Sequence, residues 1–95
     1  MQDIRYNAKK LRNFIDDNKN ILVSIFDDDF YYLLKKITKK YKFKYTNKII
    51  DVLHLINEKL VCKQLKSKIK YVLTDLKQLL KNLFKSINIE HSYAD

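Results

Sequence analysis

Neither glycine nor proline occurs anywhere in these 95 residues. At average usage a chain of this length carries roughly eleven of the two together. Glycine serves turns that need φ > 0, and proline presets turns and breaks helices. Hairpins and βα loops draw on both. A chain without either is predicted to be all-α, with helices joined by short polar loops.

Apolar residues make up 46% of the chain, enough for a packed core. Its length suits one domain, residues 1–95. The start, Met1-Gln2-Asp3-Ile4-Arg5, has no signal-peptide pattern. The longest uninterrupted apolar run, Phe30 to Leu34, is five residues, far below the ~20 residues of a membrane span. The single cysteine, Cys62, has no internal disulfide partner, and a reducing cytoplasm is the expected location.

Helical periodicity marks four segments. Ile4, Ala8, Leu11 and Ile15 share one face of a first helix near residues 3–17, with Asp3 as its cap. Phe30, Leu33, Leu34, Ile37 and Tyr41 define a second near 28–42. Asp27-Asp28-Asp29 is placed to cap that helix and to meet the positive end of its dipole. Two readings of residues 20–42 stay open: one bent helix, or a short turn over 21–26 followed by a helix. A third helix near 47–61, capped by Thr46, is apolar over more than half its circumference, which predicts a central position. The fourth, near 65–87, carries Leu65, Ile69, Val72, Leu76, Leu79, Leu83 and Ile87 in phase, broadened by Leu73, Leu80 and Phe84. Residues 88–95 read as a short polar tail. Four helices with short connections predict an antiparallel four-helix bundle.

Missing glycine removes phosphate-cradling loops, dinucleotide fingerprints and nucleophile elbows, all of which need its backbone freedom. His54, Glu58 and Cys62 do not add up to a zinc site, and Asp27-Asp28-Asp29 lacks the glycine of a calcium loop. The expectation is therefore no catalytic residue, no metal and no cofactor. Cys62 reads as a small apolar side chain and His54 as a helix-surface or buried-edge residue.

Charge carries the functional suggestion. The net charge is +9, and only Arg5 and Arg12 among the twenty basic residues are arginine. Lysine offers a diffuse, salt-sensitive attraction rather than arginine's planar fork. Residues 35–48 hold seven lysines and no acid, interleaved with Tyr41, Phe43 and Tyr45. Lys35, Lys36, Lys39, Lys40, Lys42 and Lys44 are the candidate nucleic-acid contacts. The plainer reading is a solvated helix face. Lys, Asn, Ile, Tyr and Phe supply 49 of the 95 residues, all with A/T-rich codons, so coding bias alone accounts for much of the lysine. The fourth helix, with an apolar face and Lys66, Lys68, Lys70, Lys77, Lys81 and Lys85, reads as bundle core more readily than as a membrane-surface helix.

Two segments carry a resemblance. Asp28-Asp29-Phe30-Tyr31-Tyr32-Leu33-Leu34-Lys35-Lys36-Ile37 has an acidic start and a Leu- and Lys-rich body. Leu79-Leu80-Lys81-Asn82-Leu83-Phe84-Lys85-Ser86-Ile87-Asn88-Ile89 is followed by Tyr93. Both resemble segments of the immunity proteins that protect producers of pediocin-like bacteriocins. They cover about a fifth of the chain, and members of that family often place Gly or Pro in their loops. The resemblance implies a cytoplasmic four-helix bundle that acts by binding. Its partner would be a bacteriocin together with its membrane-embedded receptor, the mannose phosphotransferase permease. The C-terminal half would carry specificity, which here points to Lys81, Lys85, Ile89, His91 and Tyr93. Two alternatives remain: a small basic nucleic-acid-binding or regulatory protein of a virus or plasmid, and a viral inhibitor of a host defence complex. Oligomeric state stays open, with Tyr31, Tyr32 and Tyr71 as candidate surface aromatics.

Overall fold

A computed structural model describes residues 3–41, 43–62 and 64–94, with side chains for all of these but 43 and 90–94. It is all-helical, with no strand among the described residues. Five α-helices occur: α1 (Ile4–Asp17), α2 (Lys19–Ile25), α3 (Asp28–Lys39), α4 (Thr46–Leu60) and α5 (Ser67–Ala94). A 3₁₀ turn at Phe43–Tyr45 leads into α4.

The connections show how the chain turns without glycine. Among the described residues none has positive φ, so every turn is made in the ordinary left half of φ/ψ space. Asn18 alone separates α1 from α2: its amide N–H donates to the Phe14 and Ile15 carbonyls, and its Nδ2 donates to the Phe14 carbonyl at 2.9 Å. These bonds satisfy carbonyls that the end of a helix leaves open. Asp3 Oδ1 accepts from the Arg5 N–H, as expected of a cap. Asp27 Oδ1 accepts from the Phe30 N–H at 2.7 Å and starts α3. This cap resolves residues 20–42 into two helices, α2 and α3, which raises the helix count above the expected four.

Three further expectations need correction. Thr46 is the first residue of α4 and is buried, and Tyr45, at the end of the 3₁₀ turn, takes the cap position instead. The third helix is not central: α4 packs mainly on α5 and the 3₁₀ turn, leaving Leu55 43% exposed and Ile50 38% exposed. The most extensive contact is that of α1 on α5, followed by α4 on α5 and α1 on α3. Finally, the polar C-terminal tail is helical, because α5 runs on to Ala94. Nothing in Asn88-Ile89-Glu90 breaks a helix, and Leu83 and Ile87 hold the apolar stripe in place through the preceding turns.

The core draws on every helix. Leu11, Ile15, Leu22, Leu34, Ile37, Ile49, Val52, Ile56, Leu73, Leu76, Leu80 and Leu83 are fully buried. In α5 the deepest positions include Leu73 and Leu80, while Ile69 and Leu79 are only half-buried, so the stripe is rotated slightly from the expected centre.

Three cross-helix bonds fix how the helices run. Asn7 Nδ2, buried in the first half of α1, donates to Ser86 Oγ, which in turn donates to the Asn82 carbonyl. Arg12 Nη2 donates to the Thr38 carbonyl at 2.9 Å, and Lys35 Nζ pairs with Asp16 at 2.7 Å. The start of α1 thus lies beside the second half of α5 and near the end of α3, so both partners run antiparallel to α1. At ~1.5 Å per residue α5 is about 42 Å long, close to the 45 Å long axis of the molecule, which is 23 and 22 Å across.

Asn7 is a polar group buried in the α1–α5 seam, and its bond to Ser86 sets the register there. Truncating it leaves Ser86 without its donor. Asn7→Ala is expected to cost about 1–2 kcal/mol in urea unfolding. Ser86→Ala in the Asn7→Ala background is expected to add much less than it does alone, because the two residues share one bond.

Candidate interaction surface

The antiparallel register sorts charge along the long axis. One end of the molecule gathers the start of α1, the end of α3, the 3₁₀ turn, the start of α4 and the second half of α5. Arg5, Lys9, Lys10, Lys39, Lys40, Lys44, Lys48, Lys81 and Lys85 all lie there and are all exposed. Among the described side chains of this end Asp3 is the carboxylate that opposes them, with Asp51 at its boundary. The other end is mixed: Asp16, Asp17, Asp27, Asp28, Asp29 and Glu58 face Lys19, Lys59, Lys66, Lys68 and Lys70. In linear order residues 1–34 carry a net charge of −1 and residues 35–95 a net charge of +10. Folding instead brings Arg5, Lys9 and Lys10 to the lysines of α3 and α5, which linear reading could not show.

Of the lysines that the sequence singles out in residues 35–44, Lys36, Lys39, Lys40 and Lys44 are exposed. Lys42 lies outside the described residues. Lys35 is not a free cation: it is half-buried and holds Asp16. Lys44 Nζ sits 5.3 Å from the centroid of the Tyr45 ring. That ring is buried and Tyr41 is half-buried, so neither offers an open face for base stacking. On α5, Lys81 and Lys85 are exposed one turn apart and Ile89 is half-buried. His91 and Tyr93 are placed by backbone in the last turns of the same helix, and their side chains lie outside the described set.

Arg12 and Asp16 tie α1 to α3. The Thr38 carbonyl that Arg12 reaches belongs to the last turn of α3, where the helix dipole favours a cation. Asp16 Oδ1 accepts from both Lys35 Nζ and the Tyr31 hydroxyl, the latter at 3.0 Å. The hydrogen bond from Lys35 holds the Asp16 carboxyl below its ordinary value, against a smaller opposing effect of desolvation. Burial pushes the Tyr31 hydroxyl up, and the neighbouring Asp16 adds to this. Tyr31 therefore stays protonated and donates. Lys19 Nζ lies 5.0 Å from the Tyr31 ring centroid.

Other candidate residues stand apart. His54, Glu58 and Cys62 are exposed, Cys62 in the turn after α4 rather than in an apolar setting. No group of three or more metal-ligating side chains occurs among the described residues. Tyr32 and Tyr71 are exposed, on different helices, while Tyr31 is buried. The apolar face of α5 is spent in the core, and no described helix is long and apolar enough to cross a membrane. No family model, no curated protein and no solved structure matches the chain.

Because the Asp16 pKa is depressed in the folded chain, its contribution is present above the ordinary value of 3.8 and lost as pH falls through the lower folded value. Asp16→Asn is expected to be less stable than the parent near neutral pH by under about 1 kcal/mol, since the pair is half-exposed. Unfolding curves should converge as pH falls below 3.8 and through the lower folded value.

Proposed function

We propose that this chain is a non-enzymatic cytoplasmic binding protein of the immunity type, which grips an acidic face of a protein complex with its basic end and the C-terminal half of α5. The observation that carries this reading is the placement of Lys81 and Lys85. They are exposed one turn apart on a helix that runs the length of the molecule, at the end where α1, α3 and the start of α4 add their own cations. A surface of this kind steers an acidic partner and sets register on it. We read α1, α3, α4 and α5 as an antiparallel four-helix bundle with α2 as an insertion between its first two members. The resemblance to bacteriocin immunity proteins rests on residues 28–37 and 79–89, and these two segments supply part of α3 and the second half of α5.

A second reading is favoured by the same clustering of cations: attachment to the phosphates of a nucleic acid. The buried Tyr45 and half-buried Tyr41 count against base stacking there, which leaves a purely electrostatic, sequence-indifferent contact.

Expression of the chain in a bacteriocin-sensitive strain is expected to raise tolerance to a cognate peptide. The double variant Lys81→Glu, Lys85→Glu and a chain cut after Ile87 should each lose that protection while keeping a helical circular-dichroism spectrum. Full protection by both folded variants contradicts the immunity reading. Retention of a DNA duplex by the purified chain at physiological salt, lost in Lys39→Glu, Lys40→Glu, supports the second reading instead.

A further inference from the structure

The other end of the molecule carries a feature that neither reading uses. Leu33 and Asp29 lie on the flank of α3 turned away from Tyr31 and Lys35, the residues that meet α1. On that side α3 and α4 make little backbone contact. Between them lies an open groove of about 380 Å³, floored by Ile25, Phe26, Phe30, Leu33 and Leu55. Phe26 and Phe30 stack with ring centroids 3.8 Å apart and form one side of it. Leu55 belongs to the part of α4's wide apolar arc that is left open, at 43% exposure. The volume lies within the range of pockets that bury a ligand, and the groove follows helix flanks, a shape that takes the apolar side of another helix.

The rim decides the occupant's charge. Asp27 and Asp29 line the α3 side, Asp28 is exposed beside them, and Lys59 is the cation across the groove. Asp27 uses Oδ1 to cap Phe30, which leaves its second oxygen open to a donor. The chain as a whole is +9, but its surplus sits at the opposite end of a 45 Å molecule. Screening over ~8 Å at physiological salt makes the local carboxylates decisive.

We propose that this groove is a docking site for a cationic amphipathic helix of a partner protein. Its apolar side chains would enter between Phe26, Leu33 and Leu55, and its Lys or Arg residues would meet Asp27 and Asp29. The proposal does not depend on the basic end, and the two surfaces are separable by variants at opposite ends of the molecule.

The test titrates ¹⁵N-labelled chain with a leucine/lysine amphipathic model peptide and, separately, with its leucine/glutamate counterpart. Shifts from the lysine peptide should concentrate at residues 25–33 and 55–59 and weaken with salt. Asp29→Lys and Leu55→Lys, both at exposed positions and checked for an unchanged thermal melt, should each weaken binding about tenfold or more. Lys81→Glu should leave it unchanged. The proposal is overturned if the lysine peptide does not bind, if the glutamate peptide binds as well, or if the shifts map elsewhere. It is equally overturned if the groove signals move with chain concentration alone, which would make the occupant a second copy.

Discussion

The seam between α1 and α5 governs the molecule. A 28-residue helix with no residue able to stop it spans the long axis, and α1 lies antiparallel against it. Hydrophobic burial along that seam is strong but nearly indifferent to sliding by a turn. Asn7 and Ser86 remove that freedom, because a shift would strand the buried Asn7 amide. The ties from Arg12 to Thr38 and from Asp16 to Lys35 then set α3 against α1 in the same way. Through these few polar bonds the register of α1, α3 and α5 follows.

That register produces the charge separation. Lys9 and Lys81 are far apart in sequence and belong to regions of opposite net charge, yet the antiparallel arrangement puts them at the same end. Acidic residues that start α3 and end α1 go to the other end, where Asp27 caps α3 and rims an apolar groove with Asp29. The result is one molecule with two chemically distinct ends: one able to attract an acidic surface, the other able to receive an apolar and basic one.

The all-helical class was legible because the absence of glycine and proline excludes most alternatives, and because the stripes of α1, α3 and α5 are regular. The Asp27 cap was legible too, since a carboxylate before an apolar stripe has few other uses. What was not legible depended on neighbours. The arc of α4 is wide enough for a central helix, but α1 took that place on α5, leaving Ile50 and Leu55 outside. The run from Asn88 onward reads as a tail because it is polar, yet the buried Leu83 and Ile87 anchor α5 just before it and the helix continues to Ala94. Lys35 could not be separated from Lys36 by sequence, because its loss from the free cations requires Asp16 to lie opposite. Nor did anything in the linear order suggest that Asn7 is a buried clasp rather than a surface residue.

The arrangement that gathers the cations is open to direct measurement by double spin labelling of exposed positions with pulsed electron paramagnetic resonance. Labels at residues 9 and 85 should give a short distance. Labels at 9 and 70 should give a distinctly longer one, since residues 70 and 85 are separated by about 22 Å along α5. The reverse order, or equal distances, would mean that the start of α1 does not lie beside the second half of α5 and that the basic end does not exist.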